Sequence, residues 1–205
     1  MIKLIGISGV ATAGKDTFFR YLKKLFRTKN VDVKRIALAD KLKEEINPYL
    51  KETYNISAFT ENPEEKKKIR SFLVAHGKTK RNQSLGTYWT SLIQDDVYQC
   101  CHHGIVPVIT DIRYDEYPED EVFWCQSKNK GILIHLERIG PDGKIIQPAN
   151  SDEQTNDLKL RNKANLLIQY PTFIKCNNLE ELDMEVYNFL SKTGISEKIL
   201  KFNYE

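Results

Sequence analysis

Gly9-Val10-Ala11-Thr12-Ala13-Gly14-Lys15-Asp16-Thr17 follows a short apolar run, Ile2 to Ser8, and precedes Phe18, Leu22, Leu25 and Phe26 at helical spacing. The order strand, glycine-rich turn, helix is the context a phosphate-binding loop needs, and G-x-x-x-x-G-K is its spacing. There, backbone N–H groups and the positive helix terminus cradle phosphate oxygens. This assigns Gly9, Ala11, Thr12, Ala13, Gly14, Lys15, Asp16 and Thr17 to ATP, with Lys15 reaching toward the γ-phosphate. Asp16 stands where Ser or Thr would offer a hydroxyl to Mg²⁺. A carboxylate also holds that ion, directly or through water, and Thr17 supplies a hydroxyl beside it. The plainer alternative is a glycine-rich turn capping an ordinary helix.

Outward from the loop, strand and helix signals alternate. Lys34 to Ala39 reads as a strand, followed by a helix with Leu42, Ile46 and Tyr49 as its inward stripe. Asn62-Pro63-Glu64-Glu65 is a helix start with N-cap, Pro at the first position and acids in the first turn. That helix carries Ile69, Phe72 and Leu73 inward and is expected to stop near Gly77. Tyr88 to Cys101 is a helix with Trp89, Ile93, Val97 and Cys100 on one face, and strands recur at Ile105 to Thr110, Ile132 to Leu136 and Asn165 to Ile168. Asn178 with Glu181 opens a last main helix whose Leu182, Val186 and Phe189 face the core. Five short apolar strands between helices imply a parallel sheet covered on both faces. The expected class is therefore α/β of the P-loop NTPase type, one domain over residues 1–205. Gly140 to Asn162 shows almost no apolar periodicity and is expected to form a mobile lid-like segment of about residues 139–163.

Composition agrees. At roughly 150 residues per domain, 205 residues make one domain. Such a chain buries about 70% of its unfolded surface and needs no disulfide or structural metal as a staple. The net charge of +3 is too small for a general polyanion binder, so no nucleic-acid partner is expected. Cys100, Cys101, Cys125 and Cys176 show neither CxxC spacing nor a dense framework, which fits reduced thiols in the cytoplasm, the host's if the chain is viral. No run approaches the roughly 18 apolar residues of a membrane span, and the apolar stretch from Leu4 to Val10 is read as a buried strand rather than a signal peptide.

A second signal is Val106-Pro107-Val108-Ile109-Thr110-Asp111-Ile112-Arg113. Its acid lies at the carboxyl end of an apolar strand, at the crevice where open α/β sheets bind ligands. Asp111 there orients a metal-bound water or a ligand group, or caps a helix. Arg70, Arg81, Arg113, Arg138 and Arg161 form a third signal, because phosphoryl transfer needs fixed cations around the transferred group and arginine holds phosphate bidentately. Three other features carry less. In Cys100-Cys101-His102-His103 only Cys100 and His103 share a helix face, too few for zinc. Tyr88 and Trp89 are core or a stacking platform, and Glu64-Glu65-Lys66-Lys67-Lys68 is a solvated face.

These residues together resemble a family. The loop with its GKDT ending, Leu38-Ala39-Asp40-Lys41-Leu42-Lys43, Arg70-x-x-Leu73-x-x-x-Gly77, Arg81, Tyr88-Trp89, Asp111-x-Arg113 and Ser151-Asp152-Glu153 look like the bacteriophage deoxynucleoside monophosphate kinases over nearly the whole chain. The resemblance implies the adenylate-kinase-like fold, ATP with Mg²⁺, and γ-phosphoryl transfer to a deoxynucleoside 5′-monophosphate; it also suggests a homodimer. On this expectation Arg70, Arg81 and Arg113 bind the acceptor phosphate, Arg138 closes over the transferring group, and Asp40, Trp89 and Asp111 take part in acceptor binding. Lys15, Arg113 and Arg138 are the catalytic set, and Arg161 is a lid arginine. Val74 and Lys78 stand where the family commonly has Gln and Thr, so base preference is not carried over. Two rivals stay open: a kinase of the same fold for another phosphate such as phosphomevalonate, and a nucleotide-binding regulatory module that performs no transfer.

Overall fold

The computed structural model describes residues 3–149, 151–172, 176 and 178–204, with only the backbone of Asp152 and Tyr204. Among these residues are five strands, β1 (Ile5–Ser8), β2 (Val33–Ile36), β3 (Val106–Ile109), β4 (Ile132–Ile139) and β5 (Leu166–Pro171). The helices are α1 (Lys15–Arg27), α2 (Leu38–Tyr54), α3 (Pro63–Gln83), α4 (Tyr88–His102), α5 (Glu121–Phe123, running on as a π-helical turn Trp124–Lys128), α6 (Ser151–Lys163), α7 (Leu179–Lys192) and α8 (Ile195–Tyr204). All strand pairs are parallel, in the order β2-β3-β1-β4-β5. Residues 1 and 2, where the first strand was expected to begin, lie outside the described residues.

Alternation along each strand divides the core into two layers, because successive side chains point to opposite faces. Ile5, Ile7, Ile132 and Ile134 pack against Phe18 and Leu22 of α1, Val186 and Leu190 of α7, and Ile199 of α8. Leu4, Ile109 and Leu133 pack on the other face against Ile93 and Val97 of α4 and against Trp124 and Cys125 of the π-helical turn. A third, smaller core of Ile46, Leu50, Ala58 and Ile69 joins α2 to α3 away from the sheet.

Several boundaries differ from the expectation, each for a physical reason. The second strand ends at Ile36, because the Asp111 carboxylate accepts hydrogen bonds from the amides of Leu38 and Ala39, at 2.9 and 2.8 Å, and so starts α2 there. Within α2 the inward stripe is Leu42, Ile46 and Leu50, whereas Tyr49 is exposed. The Asn62 cap holds, its Oδ1 accepting from Glu64 N at 2.9 Å, but α3 runs through Gly77 to Gln83. Gly77 is there for closeness, since a Cβ would stand 2.6 Å from Leu42 Cδ1. Residues 140–162 contain α6, a helix with only Leu160 and Asn156 buried among its described side chains. The Asn178 capping box is present, Oδ1 accepting from Glu181 N at 2.9 Å, and α8 follows without having been expected. No helix of the described residues is long and apolar enough to cross a membrane.

Candidate functional site

Left-handed backbone at Thr12 (φ 64°) and Gly14 (φ 86°), with Gly9 at φ 133°, folds residues 9–14 into a cup over the N-terminus of α1. The cup is tight. A Cβ on Gly9 would meet Leu136 O at 2.4 Å, and one on Gly14 would meet Tyr170 Oη at 1.8 Å. Tyr170, from the edge strand, donates its hydroxyl to Ala13 O and pins the loop to the sheet. Lys15 Nζ donates to Gly9 O at 2.7 Å and to Val10 O at 2.9 Å, so its charge lies along the rim. Burial lowers the Lys15 pKa, Arg113 adds to the effect, and Glu153, Asp111 and Asp16 oppose it.

Beyond the rim lie two cavities. A smaller one of about 270 Å³ lies between the loop and α6, lined by Gly9, Ala11 and Lys15 on one side and by Glu153, Asn156 and Asp157 on the other. A larger one of about 550 Å³ lies between α2, α3 and the end of β3, with walls of Leu38, Leu42, Ile69, Leu73 and Trp89. Arg70 and Arg113 line both, and both are exposed. The structure therefore brings Lys15, Arg70 and Arg113 to one connected cleft.

The other expected residues take varied places. Arg81 is 3% exposed and lines the larger cavity, its Nη1 bound to Glu116 at 2.6 Å and its Nη2 to Asp120, with Tyr114 and Tyr117 rings stacked 4.0 and 5.0 Å from its Cζ. Burial works against its charge, but Asp120 and Glu116 outweigh that and raise its pKa. Trp89 is buried, donates Nε1–H to Gly77 O at 3.1 Å and contributes to the cavity wall. Asp111 has both oxygens on α2 amides, the helix-cap role, while lining the larger cavity. Asp40 turns to Arg35 at 2.8 Å and lines neither of these cavities. Arg138 flanks the loop from the β5 side, Nε on Thr172 Oγ1 and Nη1 on Thr12 O at 3.2 Å. Arg161 is bound to Glu137 at 2.6 Å. Asp16 is 79% exposed, with Arg35 Nε 3.8 Å from its Oδ1, and Thr17 Oγ1 accepts from Arg20 at 3.2 Å.

Four groups at the site were not anticipated as functional. Glu153, met in the sequence only as part of Ser151-Asp152-Glu153, accepts at Oε1 from Ala11 N at 2.8 Å and at Oε2 from Ala149 N at 2.7 Å. A carboxylate thus occupies a loop amide. Beneath the loop, Ser8 Oγ lies 3.0 Å from His135 Nδ1, and Asp157 Oδ1 lies 3.6 Å from His135 Nε2. Burial depresses the His135 pKa to about 4, and burial with Glu137 and Glu153 raises Asp157 to about 6. At neutral pH the contact is thus an ionised Asp beside a neutral His, not an ion pair. Glu121, buried, lines the larger cavity. No local motif marks Asp157, His135 or Glu121, because their roles arise from burial.

No protein-family model matches the chain, and no curated protein matches it. Among solved structures, the chain is similar to dephospho-CoA kinase from Campylobacter jejuni, at 14% identity over 95% of this chain and 100% of that one, with a TM-score of 0.45. It is also similar to shikimate kinase from Aquifex aeolicus, at 13% identity over 94% and 98%, with a TM-score of 0.37. At such identities the likeness concerns the arrangement of strands and helices.

Proposed function

We propose that the protein transfers the γ-phosphoryl group of ATP to the phosphate of a deoxynucleoside 5′-monophosphate. The observation that carries this reading is that Arg70 and Arg113 line both cavities, between the phosphate-binding loop and an apolar-walled chamber. Two anionic chains meeting end to end need fixed cations at their junction. A module that only binds one nucleotide has no use for a second chamber behind them.

In this reading the loop amides and Lys15 hold the β- and γ-phosphates, and Arg70 and Arg113 hold the acceptor phosphate. An acceptor oxygen forms the new bond to γ-phosphorus as the bond to the β,γ-bridging oxygen breaks, leaving ADP. The acceptor phosphate is already an anion near pH 7, so no general base is required. Asp16 suits Mg²⁺, since its carboxylate is exposed at the first turn of α1 with one 3.8 Å contact to Arg35, and Thr17 adds a hydroxyl. When bound, the ion offsets charge on the phosphates. Arg138 steadies the loop through Thr12 O, and Arg81 braces the chamber rather than touching phosphate.

One observation favours a second acceptor class. The chamber has Leu38, Leu42, Ile69 and Leu73 among its walls and Asp40 does not line it, so a phosphate on an isoprenoid-type body such as phosphomevalonate also suits it. Calorimetry separates the readings. Arg70→Ala and Arg113→Ala are each expected to weaken deoxynucleoside monophosphate binding by roughly 1.5–3 kcal/mol, the scale of a charge-assisted hydrogen bond, with a far smaller change for a non-hydrolysable ATP analogue in Arg70→Ala. Equal losses for both ligands would mean a single nucleotide site, and binding of isoprenoid phosphates alone would select the second class.

A further inference from the structure

The larger chamber is lined by two carboxyl groups, Asp111 and Glu121. Asp111 has each oxygen on an amide of α2, at 2.9 and 2.8 Å. Glu121 differs. Its Oε2 accepts from both Arg113 N, at 2.6 Å, and Tyr114 N, at 3.1 Å, while its Oε1 has no hydrogen-bond partner among the described residues. The side chain is 4% exposed, and its backbone is fixed at the start of α5 by the Asp120 cap, Oδ1 accepting from Glu121 N at 3.0 Å. Glu121 lines the chamber, so Oε1 is left to meet a ligand that enters it. Besides aliphatic groups and Trp89, the chamber is lined by Thr60, Tyr114, three lysines and three arginines, so Asp111 and Glu121 are its two acidic groups.

Resting on the acceptor reading above, we propose that Glu121 is the specificity-determining residue of the chamber: the amides of Arg113 and Tyr114 hold Oε2, and Oε1 meets a polar atom on the body of the acceptor. The same side chain ties recognition to phosphate binding, because the backbone it holds is that of Arg113.

The chemistry of that polar atom follows from where the proton resides. Burial pushes the Glu121 carboxyl up to about 8, against the Arg113 amide, with Asp120 and Asp111 raising it further and Arg81 opposing them. Tyr114, raised by burial and by Glu121, also faces it, and Lys43, Lys66, Lys78 and Arg70 line the same cavity. Oε2 is saturated by two N–H donors, so the proton sits on Oε1. At neutral pH Glu121 therefore offers an O–H donor, and the matching acceptor edge carries a carbonyl oxygen or an unprotonated ring nitrogen, as nucleobases do. Above pH 8 the donor is lost and a bare carboxylate faces that same atom.

The test is the acceptor KM, measured with the best of a panel of deoxynucleoside monophosphates between pH 6.5 and 9, in the wild type and in Glu121→Gln. Glutamine keeps an oxygen for the two amides and places a permanent N–H donor on the chamber. The wild-type acceptor KM is expected to rise about tenfold from pH 7 to pH 9, the scale of one lost hydrogen bond, while the KM for ATP moves less than about threefold. Glu121→Gln is expected to match the wild-type acceptor KM at pH 7 within about threefold and to stay flat to pH 9. A flat wild-type profile, a parallel rise in Glu121→Gln, or a loss above about tenfold in that variant at pH 7 would overturn the assignment. Should Glu121→Gln fail to fold, the wild-type ratio of acceptor KM to ATP KM across pH decides alone, rising if Oε1–H reads the acceptor and constant if Glu121 is only a backbone cap. A wild type that turns over no monophosphate at any pH would instead remove the acceptor reading itself, and this inference with it.

Discussion

Arg81 was expected from the family resemblance to grip the acceptor phosphate; we propose that, bound to Glu116 and Asp120, it is instead a brace, and the two roles predict opposite results for Arg81→Met. The methionine keeps the aliphatic stem and removes the guanidinium. Asp120, 0% exposed, then loses its countercharge, and Glu116 loses its 2.6 Å partner. Breaking a buried pair from one side costs about 3–5 kcal/mol. Asp120 retains the amides of Glu116, Tyr117 and Glu121, at 2.8, 3.2 and 3.0 Å, which places the loss near the lower end, about 3 kcal/mol. The stacking of Tyr114 and Tyr117 on the guanidinium goes as well. For a chain of this length, each kcal/mol is roughly 2–4 °C in Tm, so differential scanning calorimetry should record a fall of about 6–12 °C. Adding Asp120→Asn to Arg81→Met should recover part of it, because the stranded charge disappears while an oxygen remains for the amides. A Tm within about 2 °C of wild type, combined with an acceptor KM raised more than about tenfold, would refute the brace and return Arg81 to the substrate.

Asp16→Asn should raise the Mg²⁺ concentration for half-maximal activity more than it changes ATP affinity without metal; an unchanged Mg²⁺ dependence would leave Asp16 as an acid favoured only by the α1 dipole. Glu153→Gln removes a negative charge from the loop amide of Ala11, so an ATP analogue should bind about three- to tenfold tighter by titration, and weaker binding would make Glu153 part of the nucleotide site. His135 takes up its proton at about 4 in the folded chain against about 6.5 unfolded, so its contribution is present above pH 6.5 and lost as pH falls toward 4. Asp157, raised to about 6, runs the other way, so the difference against His135→Asn isolates the histidine. The wild type's stability relative to that variant should drop by about 2 kcal/mol from pH 7 to pH 5 in urea titrations, and a pH-independent difference would contradict a buried neutral imidazole.

The central sheet and the loop were legible because their signals are local: an apolar run, a glycine spacing and a helical stripe within some 25 residues. What was illegible depends on partners far away in the chain. The start of α2 has no capping side chain of its own, since Ala37 occupies the N-cap, and the cap comes from Asp111, 73 positions on. Gly77 reads as a helix stop, yet it lies inside α3 because Leu42 leaves no room for a side chain. Arg70 and Arg81 stand on one helix with the same charge, and only the carboxylates of Glu116 and Asp120 decide which is free to meet phosphate. α6 gives almost no apolar pattern because it rests on the fold through Leu160 and Asn156, so Glu153 and Asp157 beside the loop stayed hidden.

The central claim is transfer between two anionic ligands across the cleft that Lys15, Arg70 and Arg113 share. It is tested most directly by ADP release from ATP and Mg²⁺, with and without each of a panel of deoxynucleoside monophosphates, ribonucleotides and isoprenoid phosphates, in the wild type and in Lys15→Ala. The account predicts release that depends on a deoxynucleoside monophosphate and falls by about 10²-fold or more in Lys15→Ala with Tm unchanged. Release indifferent to every acceptor, or most of kcat retained in Lys15→Ala, would contradict it.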